Sequence, residues 1–379
     1  MLNIILLGIT SLLTDISSEM IYPILPVFLV TTLGASPAIL GLIEGIAESL
    51  ASLMKVFSGY WSDRIRKRLP FTIGGYSASA LGKIFLYTAV NWHAVLIGRV
   101  IDRFGKGVRT APRDAIIADS APEGKRGAAY GLHRALDSTG AVLGVILAYV
   151  LVIGLKDPVR EIFLISLIPA VLGVLFLFLI KEKKEGPVPG RKVKLQWHAL
   201  DRRLKMFLIF SFIFTLGNSS NAFLLLRAQD LGNPLPAVIL LYLIYNVFYA
   251  LFIYPASRLS DRIGRKRLLV AGYFFYGLVY FGFARHTGLP ALFVLFAIYG
   301  LYIAFTEGVE KALVTDIAPS ELKATAIGLH ATLTGIGLLP ASFLAGLLWK
   351  FLGPSAAFYF GGVMGITASI GLWFILKGL

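Results

Sequence analysis

The sequence predicts an all-α integral membrane protein of twelve transmembrane helices, arranged as two parallel repeats of six, with both termini cytoplasmic. Three observations predict it. Of the 379 residues, 57% are hydrophobic and 15% charged, against roughly 45–50% and about 25% in soluble globular chains. Apolar stretches of about 20 residues, the length that crosses a bilayer core, alternate with short clusters of Gly, Pro and charge. The same short motifs return at one long spacing in the second half of the chain.

Taken in order, the spans fall at about 3–31, 37–61, 70–90, 93–117, 126–154, 160–180, 204–228, 235–257, 267–285, 289–315, 323–350 and 354–377. The first begins at the N-terminus with no basic n-region and no small-residue cleavage site. It is therefore expected to be a membrane span and not a signal peptide. Arg64, Arg66, Lys67 and Arg68 follow the second span, Lys125 and Arg126 the fourth, and Arg258, Arg262, Arg265, Lys266 and Arg267 the eighth. The loops at 31–37, 89–93 and 230–236 hold no Lys or Arg. By the positive-inside rule the even-numbered loops and both termini are cytoplasmic. The net charge of +15 is then a topology signal. The expected partner is the lipid bilayer and not nucleic acid.

The longest polar stretch, Lys181–Lys205, contains Gly186, Pro187, Pro189 and Gly190 and nine basic residues, Lys183, Lys184 and Arg191 among them. It reads as a cytoplasmic linker along the anionic leaflet. The expected organisation is an N-terminal six-helix bundle at 1–180, a linker at 181–203 and a C-terminal six-helix bundle at 204–379. The two bundles are repeats. Asp63-Arg64-Ile65-Arg66-Lys67-Arg68 returns as Asp261-Arg262-Ile263-Gly264-Arg265-Lys266, Ala121-Pro122 as Ala318-Pro319, and Gly131-Leu132-His133 as Gly328-Leu329-His330. Three matches in nearly one register indicate duplication. Parallel repeats of six spans build one large transporter class, with substrate bound near the bilayer midplane.

At these residues the chain resembles the Major Facilitator Superfamily. The superfamily signature after the second span is G-x-x-x-D-R-x-G-R-[KR]. Gly59, Asp63, Arg64, Lys67 and Arg68 match it, and Arg66 stands at the usual Gly. The second copy keeps Asp261, Arg262, Gly264, Arg265 and Lys266. Arg99 matches the superfamily's buried arginine, while Asp102 and Arg103 replace the Gln and Gly that usually follow. Gly131, Gly140 and Gly144 have the spacing of a glycine motif of drug:proton antiporters, but Val145 and Ala148-Tyr149 replace its Pro and closing Gly pair. Close helix packing by small residues accounts equally well for those glycines. The resemblance implies secondary active transport by alternating access, without a cofactor and driven by a proton gradient. It also implies a multi-pass protein of the cytoplasmic membrane, functional as a monomer, with spans one and four facing each other across a cavity.

The intramembrane charges carry the chemistry. Asp15 and Glu19 in span one, and Glu44 and Glu48 in span two, are i,i+4 pairs, each on one helical face. A carboxylate at such depth costs at least about 2.5–3.5 kcal/mol, so it should face a cavity, a partner or a proton. Arg99 and Arg103 in span four need carboxylates from another helix, and Asp15, Glu19 and Glu48 are available. Asp102 and Lys106 can neutralise each other at i,i+4. Arg109 and Arg113 lie nearer the cytoplasm, and Pro112 is expected to kink the span. Such a set suggests a proton switch, in which a carboxylate held ionised by an arginine takes a proton when the two separate. His133 and Asp137, also i,i+4, are weak candidate ligands for a divalent metal, although a histidine bonded locally is the plainer reading. Span seven offers neutral groups, Asn218 and Asn221 foremost, and span ten an internal Glu307–Lys311 pair. Asp63 and Asp261 are expected to act as gate latches, pairing with Arg64 or a helix N-terminus in one conformation only.

These residues divide the possible functions. The acid-rich face of spans one and two points to proton-coupled export of a small organic compound, cationic or amphipathic. His133, Asp137 and the same acids point to export of a divalent cation of the Ni or Co type. Arg99, Arg103, Lys106, Arg109 and Arg113 point to transport of an organic anion or phosphorylated compound. An intramembrane enzyme with paired carboxylates belongs to another class, and the duplicated gate motifs argue against it. No Walker sequence is present to bind a nucleotide. The absence of Cys removes disulfides, thiolate metal sites and Cys nucleophiles.

Overall fold

The computed structural model describes residues 2–65, 67–122, 125–155, 158–182, 201–285, 287–319 and 322–375. All regular structure among them is helical. The first expected span is made by α1 (Leu2–Ile21), α2 (Leu25–Val27) and a π-helical turn (Phe28–Thr32). The second to fifth are α3 (Pro37–Ile65), α4 (Leu69–Tyr87), α5 (Trp92–Ser120) and α6 (Arg126–Gly154). The sixth is split into α7 (Pro158–Ile165) and α8 (Leu167–Leu177), and the seventh into α9 (Arg202–Gly217) and α10 (Ala222–Asp230). The remainder are α11 (Leu235–Ile263), α12 (Arg265–Ala284), α13 (Leu289–Ile317), α14 (Lys323–Leu352) and α15 (Pro354–Ile375).

Local chemistry sets these boundaries. Asn91 caps α5, its side chain accepting from the Ala94 amide at 3.1 Å. The carboxylate of Glu182 accepts from the amides of Arg68 and Leu69 at 2.6 and 3.2 Å and so closes the N-terminus of α4. Between α11 and α12 the chain turns at Gly264 with φ of +93°, a backbone conformation that a side chain would strain. The helix α5 runs through Pro112 without interruption, so the expected kink does not break it. The run Asn218–Asn221 interrupts the seventh span instead, because Asn and Ser side chains offer the backbone alternative partners.

Among the described residues, nine helical segments are long and apolar enough to cross a membrane. The helices α3, α4 and α5, of 29, 19 and 29 residues, are not among these nine. They carry Glu44 and Glu48, Lys83, and the arginine series of the fourth span.

The chain forms two compact units: Met1–Ala35 with Ile46–Pro187 and Pro234–Leu243, and Ser36–Gly45 with Val188–Asn233 and Ile244–Leu379. Most of the linker expected at 181–203 lies outside the described residues, as does Arg66. In the first unit α1 packs on α6 and α8, and α4 packs on α5 and α8. In the second, α9 packs on α14 and α15, and α12 packs on α13 and α15. The equivalent helices of the two repeats therefore choose equivalent neighbours.

Candidate functional site

The site is built on two helix faces in the first unit. On α1, Asp15, Ser18, Glu19 and Tyr22 follow the i, i+3, i+4, i+7 spacing of one face. On α5, Arg99, Asp102, Arg103 and Lys106 repeat that spacing, and Arg109 follows one turn on. These side chains, with Lys83 of α4, line one pocket. The helices α4 and α5 approach backbone to backbone. A Cβ added at Gly98 would lie 2.8 Å from the Gly82 carbonyl oxygen, and one at Gly105 would lie 2.4 Å from that of Gly75. Such small-residue contacts let helices pack closely in a membrane, and here they set Lys83 against the arginine-bearing helix.

Arg103 Nε is 3.2 Å from Glu48 Oε1 and 3.8 Å from Asp102, while Arg99 is 3.7 Å from Asp102 and 4.0 Å from Glu48. Two arginines thus share two carboxylates, and the guanidinium of Arg99 also lies 5.8 Å from the Tyr22 ring. Of the three acids expected to meet these arginines, Glu48 is ion-paired to both. Glu19 accepts from the Tyr242 hydroxyl at 2.8 Å, and Tyr242 stacks on Tyr22 at 5.4 Å. Asp15 lies beside Asp137, which accepts from Ser11 at 2.9 Å and pairs with Arg134 at 3.3 Å. The expected Asp102–Lys106 pair does not form, because both arginines claim Asp102.

Lys83 was not singled out by the sequence. It is 2% exposed, and its ammonium donates to Ser17 Oγ at 2.5 Å and Ser18 Oγ at 3.3 Å. A lone lysine inside an otherwise apolar span was the available signal. Tyr22 and Tyr242 carried none beyond their aromatic type.

The other candidates lie elsewhere. Glu44, 1% exposed, accepts from Ser220 at 3.1 Å in the second unit. There Asn218 donates to Tyr302 at 3.2 Å, and Asn221 accepts from Tyr299 at 2.7 Å. Glu307 accepts from the Tyr249 hydroxyl, and Glu310 accepts from Tyr273 at 2.9 Å with His330 at 3.7 Å. His133 is buried, and its Nε2 has no hydrogen-bond partner among the described residues. Among the described residues no group of three or more His, Asp and Glu side chains gathers as a metal site would.

At the gate motifs the pairing differs from expectation. Asp63 meets Arg68 at 3.2 Å, not Arg64, and Arg68 also meets Asp119 at the end of α5. In the second unit Arg265 meets Asp261 at 3.6 Å and Asp316, at the end of α13, at 2.5 Å. Asp119 and Asp316 were missed, yet the signal existed: each stands two residues before an Ala-Pro pair, at the register of the repeat. Gly59, Arg64, Lys67, Arg262 and Lys266 surround these pairs in sequence. Of the glycines of α6, Gly140 and Gly144 face the Leu12 and Ile16 carbonyls, whereas Gly131 faces open space.

The profile of the Major Facilitator Superfamily matches residues 7–226 and 206–378. An uncharacterised MFS-type transporter of Methanocaldococcus jannaschii is 40% identical over 379 residues, covering 98% of this chain and 94% of its own. Multidrug resistance protein MdtH of Aeromonas salmonicida is 24% identical over 330 residues, covering 85% and 81%. The crystal structure of the nucleoside transporter NupG superposes with a TM-score of 0.81 at 15% identity, covering 100% of this chain and 100% of that one.

Proposed function

The chain belongs to the Major Facilitator Superfamily, and on that footing we propose that it is a proton-coupled secondary active transporter exporting a small organic compound by alternating access. The observation that carries this reading is the buried set of Arg99, Asp102 and Arg103 on the wall of a pocket, with Glu48 ion-paired to both arginines. Charges at that depth are retained against an insertion cost, and in membrane helices they mark substrate and proton pathways. The discontinuous seventh span adds polar backbone at membrane depth, as transporter binding sites do. Export is supported by the likeness to MdtH, a multidrug resistance protein. In this reading all twelve helices span the cytoplasmic membrane, both termini are inside, the bundles at 1–180 and 204–379 are joined by the cytoplasmic linker, and the protein works as a monomer without a cofactor.

Two substrate classes compete. The acids of α1 and α3 and the MdtH likeness favour a cationic or amphipathic compound. The pocket wall favours an acidic one, since Lys83, Arg99, Arg103, Lys106 and Arg109 outnumber Asp15, Glu19 and Asp102.

The test is proton flux in liposomes holding the purified protein across an imposed pH gradient. Ethidium, succinate and glucose 6-phosphate are the probes, and a pH dye inside reports the protons. At least one probe is expected to drive proton movement that Arg103→Ala abolishes. If none exceeds protein-free liposomes, proton coupling is wrong.

A further inference from the structure

The basic residues buried in the first unit fall into two groups. Arg99 and Arg103 each meet a carboxylate within 4.0 Å. Among the described residues, Lys83 and Arg109 do not. Lys83 is held by the hydroxyls of Ser17 and Ser18. Arg109 donates to Ser79 Oγ at 2.5 Å and lies 4.2 Å from the Tyr76 ring centroid. They are 2% and 5% exposed, and both line the pocket. A cation taken out of water is costly, and hydroxyls and a ring face offset that cost only in part. Even counting Glu48, which is paired with Arg99 and Arg103, the basic side chains of the pocket exceed the acidic ones.

From this imbalance we infer that the Lys83–Arg109 wall of the pocket is an anion-binding site for a carboxylate or phosphate group of the transported compound. Lys83 supplies a compact point charge with a donor left over after its two serines. Arg109 has spent one donor on Ser79 and keeps others in a planar fork that matches carboxylate and phosphate geometry. The two differ from Arg99 and Arg103, whose charges are already offset by Glu48 and Asp102. An arriving acid would complete the pairing at Lys83 and Arg109 without displacing an internal partner. Ser17, Ser18 and Ser79 fix the two cations in place, so little side-chain freedom is lost on binding. The surplus also works as a filter: an organic cation entering this wall meets like charge, which disfavours it without any steric block.

This inference rests on the transporter reading but is tested apart from it, by equilibrium binding and not by flux. The full-length protein in neutral detergent is heated with increasing succinate, glucose 6-phosphate or inorganic phosphate, with tetraphenylphosphonium as the cationic probe and ionic strength held constant by sodium chloride. A ligand that binds only the folded state raises Tm with concentration. At least one anion is expected to raise Tm saturably. Lys83→Gln and Arg109→Gln are each expected to weaken its apparent affinity tenfold or more, Lys83→Arg to restore most of it, and Lys350→Gln, in the second unit, to leave it unchanged. Should Lys83→Gln fail to fold, the Lys83→Arg and Arg109→Gln pair is read instead. Stabilisation by tetraphenylphosphonium alone overturns the proposal, as does the absence of any anion effect. So does an anion effect that keeps its wild-type affinity in the Gln variants.

Discussion

Glu48 is shared by two arginines of the pocket wall, and that sharing sets what its loss should do. With Glu48→Gln, Arg99 and Arg103 lose one of the two carboxylates they share. A buried group deprived of its partner costs about 1–3 kcal/mol, and about 1.4 kcal/mol is tenfold in an equilibrium or rate. Proton-coupled flux in Glu48→Gln liposomes is therefore expected to fall on the order of tenfold or more, with a lowered Tm in detergent. Glu19 is placed differently. Its partner is a neutral hydroxyl, Tyr242, and a Gln amide oxygen can accept from it equally well. Glu19→Gln should keep its Tm and its substrate counterflow while losing net proton movement, because it mimics the protonated acid. Full proton-coupled flux in Glu19→Gln would remove Glu19 from the proton path. The charged residues were legible in the sequence as types, since an acid or arginine within an apolar span is conspicuous. Their partners were not, because pairing depends on how each helix is rotated against its neighbours. Asp15 turns to Asp137 on α6, and Glu19 to a tyrosine more than two hundred residues away in sequence. Lys83 escaped notice because no charged residue stands near it on its own helix.

Helix packing decides which glycines matter. The pair α1–α6 closes where Gly140 and Gly144 meet the backbone of α1: an added Cβ would stand 2.4 Å from the Leu12 carbonyl oxygen and 2.6 Å from that of Ile16. Backbone cannot yield as a flexible side chain can. Gly140→Ala and Gly144→Ala are each expected to destabilise by about 1–3 kcal/mol, as overpacking does, while Gly131→Ala, in open space, should be neutral. Thermal unfolding of the three variants in detergent checks the contrast, and equal losses in all three would contradict it. The spacing of these glycines was legible as a motif, and the structure gives Gly140 and Gly144 a packing role. The element boundaries followed the Gly, Pro and charge punctuation closely. The break at Asn218–Asn221 did not show as a break, because the hydropathy of α9 and α10 on either side makes one apolar stretch. What divides them is the hydrogen bonding of this run, and of Gly217 before it, to Tyr276, Tyr299 and Tyr302 on other helices, which lies beyond any local pattern.

On the scale of the whole chain, duplication reaches further than the motifs that announced it. Each unit carries an arginine between two aspartates: Arg68 with Asp63 and Asp119, Arg265 with Asp261 and Asp316. The two aspartates of a set are not equal. Asp63 and Asp261 are 64% and 66% exposed, whereas Asp119 and Asp316 are 29% and 45% exposed. Exposed ion pairs are worth about 0–1 kcal/mol, and shielding from water strengthens them. If these ion pairs act as latches, the Arg68–Asp119 and Arg265–Asp316 contacts are therefore expected to carry more of each than the exposed signature aspartates. A latch that forms in one conformation biases the alternating-access equilibrium by its own free energy, and about 1.4 kcal/mol moves the population ratio tenfold. Asp119→Asn and Asp316→Asn should consequently shift that equilibrium more than Asp63→Asn and Asp261→Asn, with ligand affinity within a state unchanged. The chain has no cysteine, so a single Cys introduced at a loop beside the gate motifs is a background-free reporter whose alkylation rate follows the open population. Larger shifts from Asp63→Asn and Asp261→Asn would mean that the exposed contacts hold the gate, and that these aspartates act through something other than their pairing with arginine.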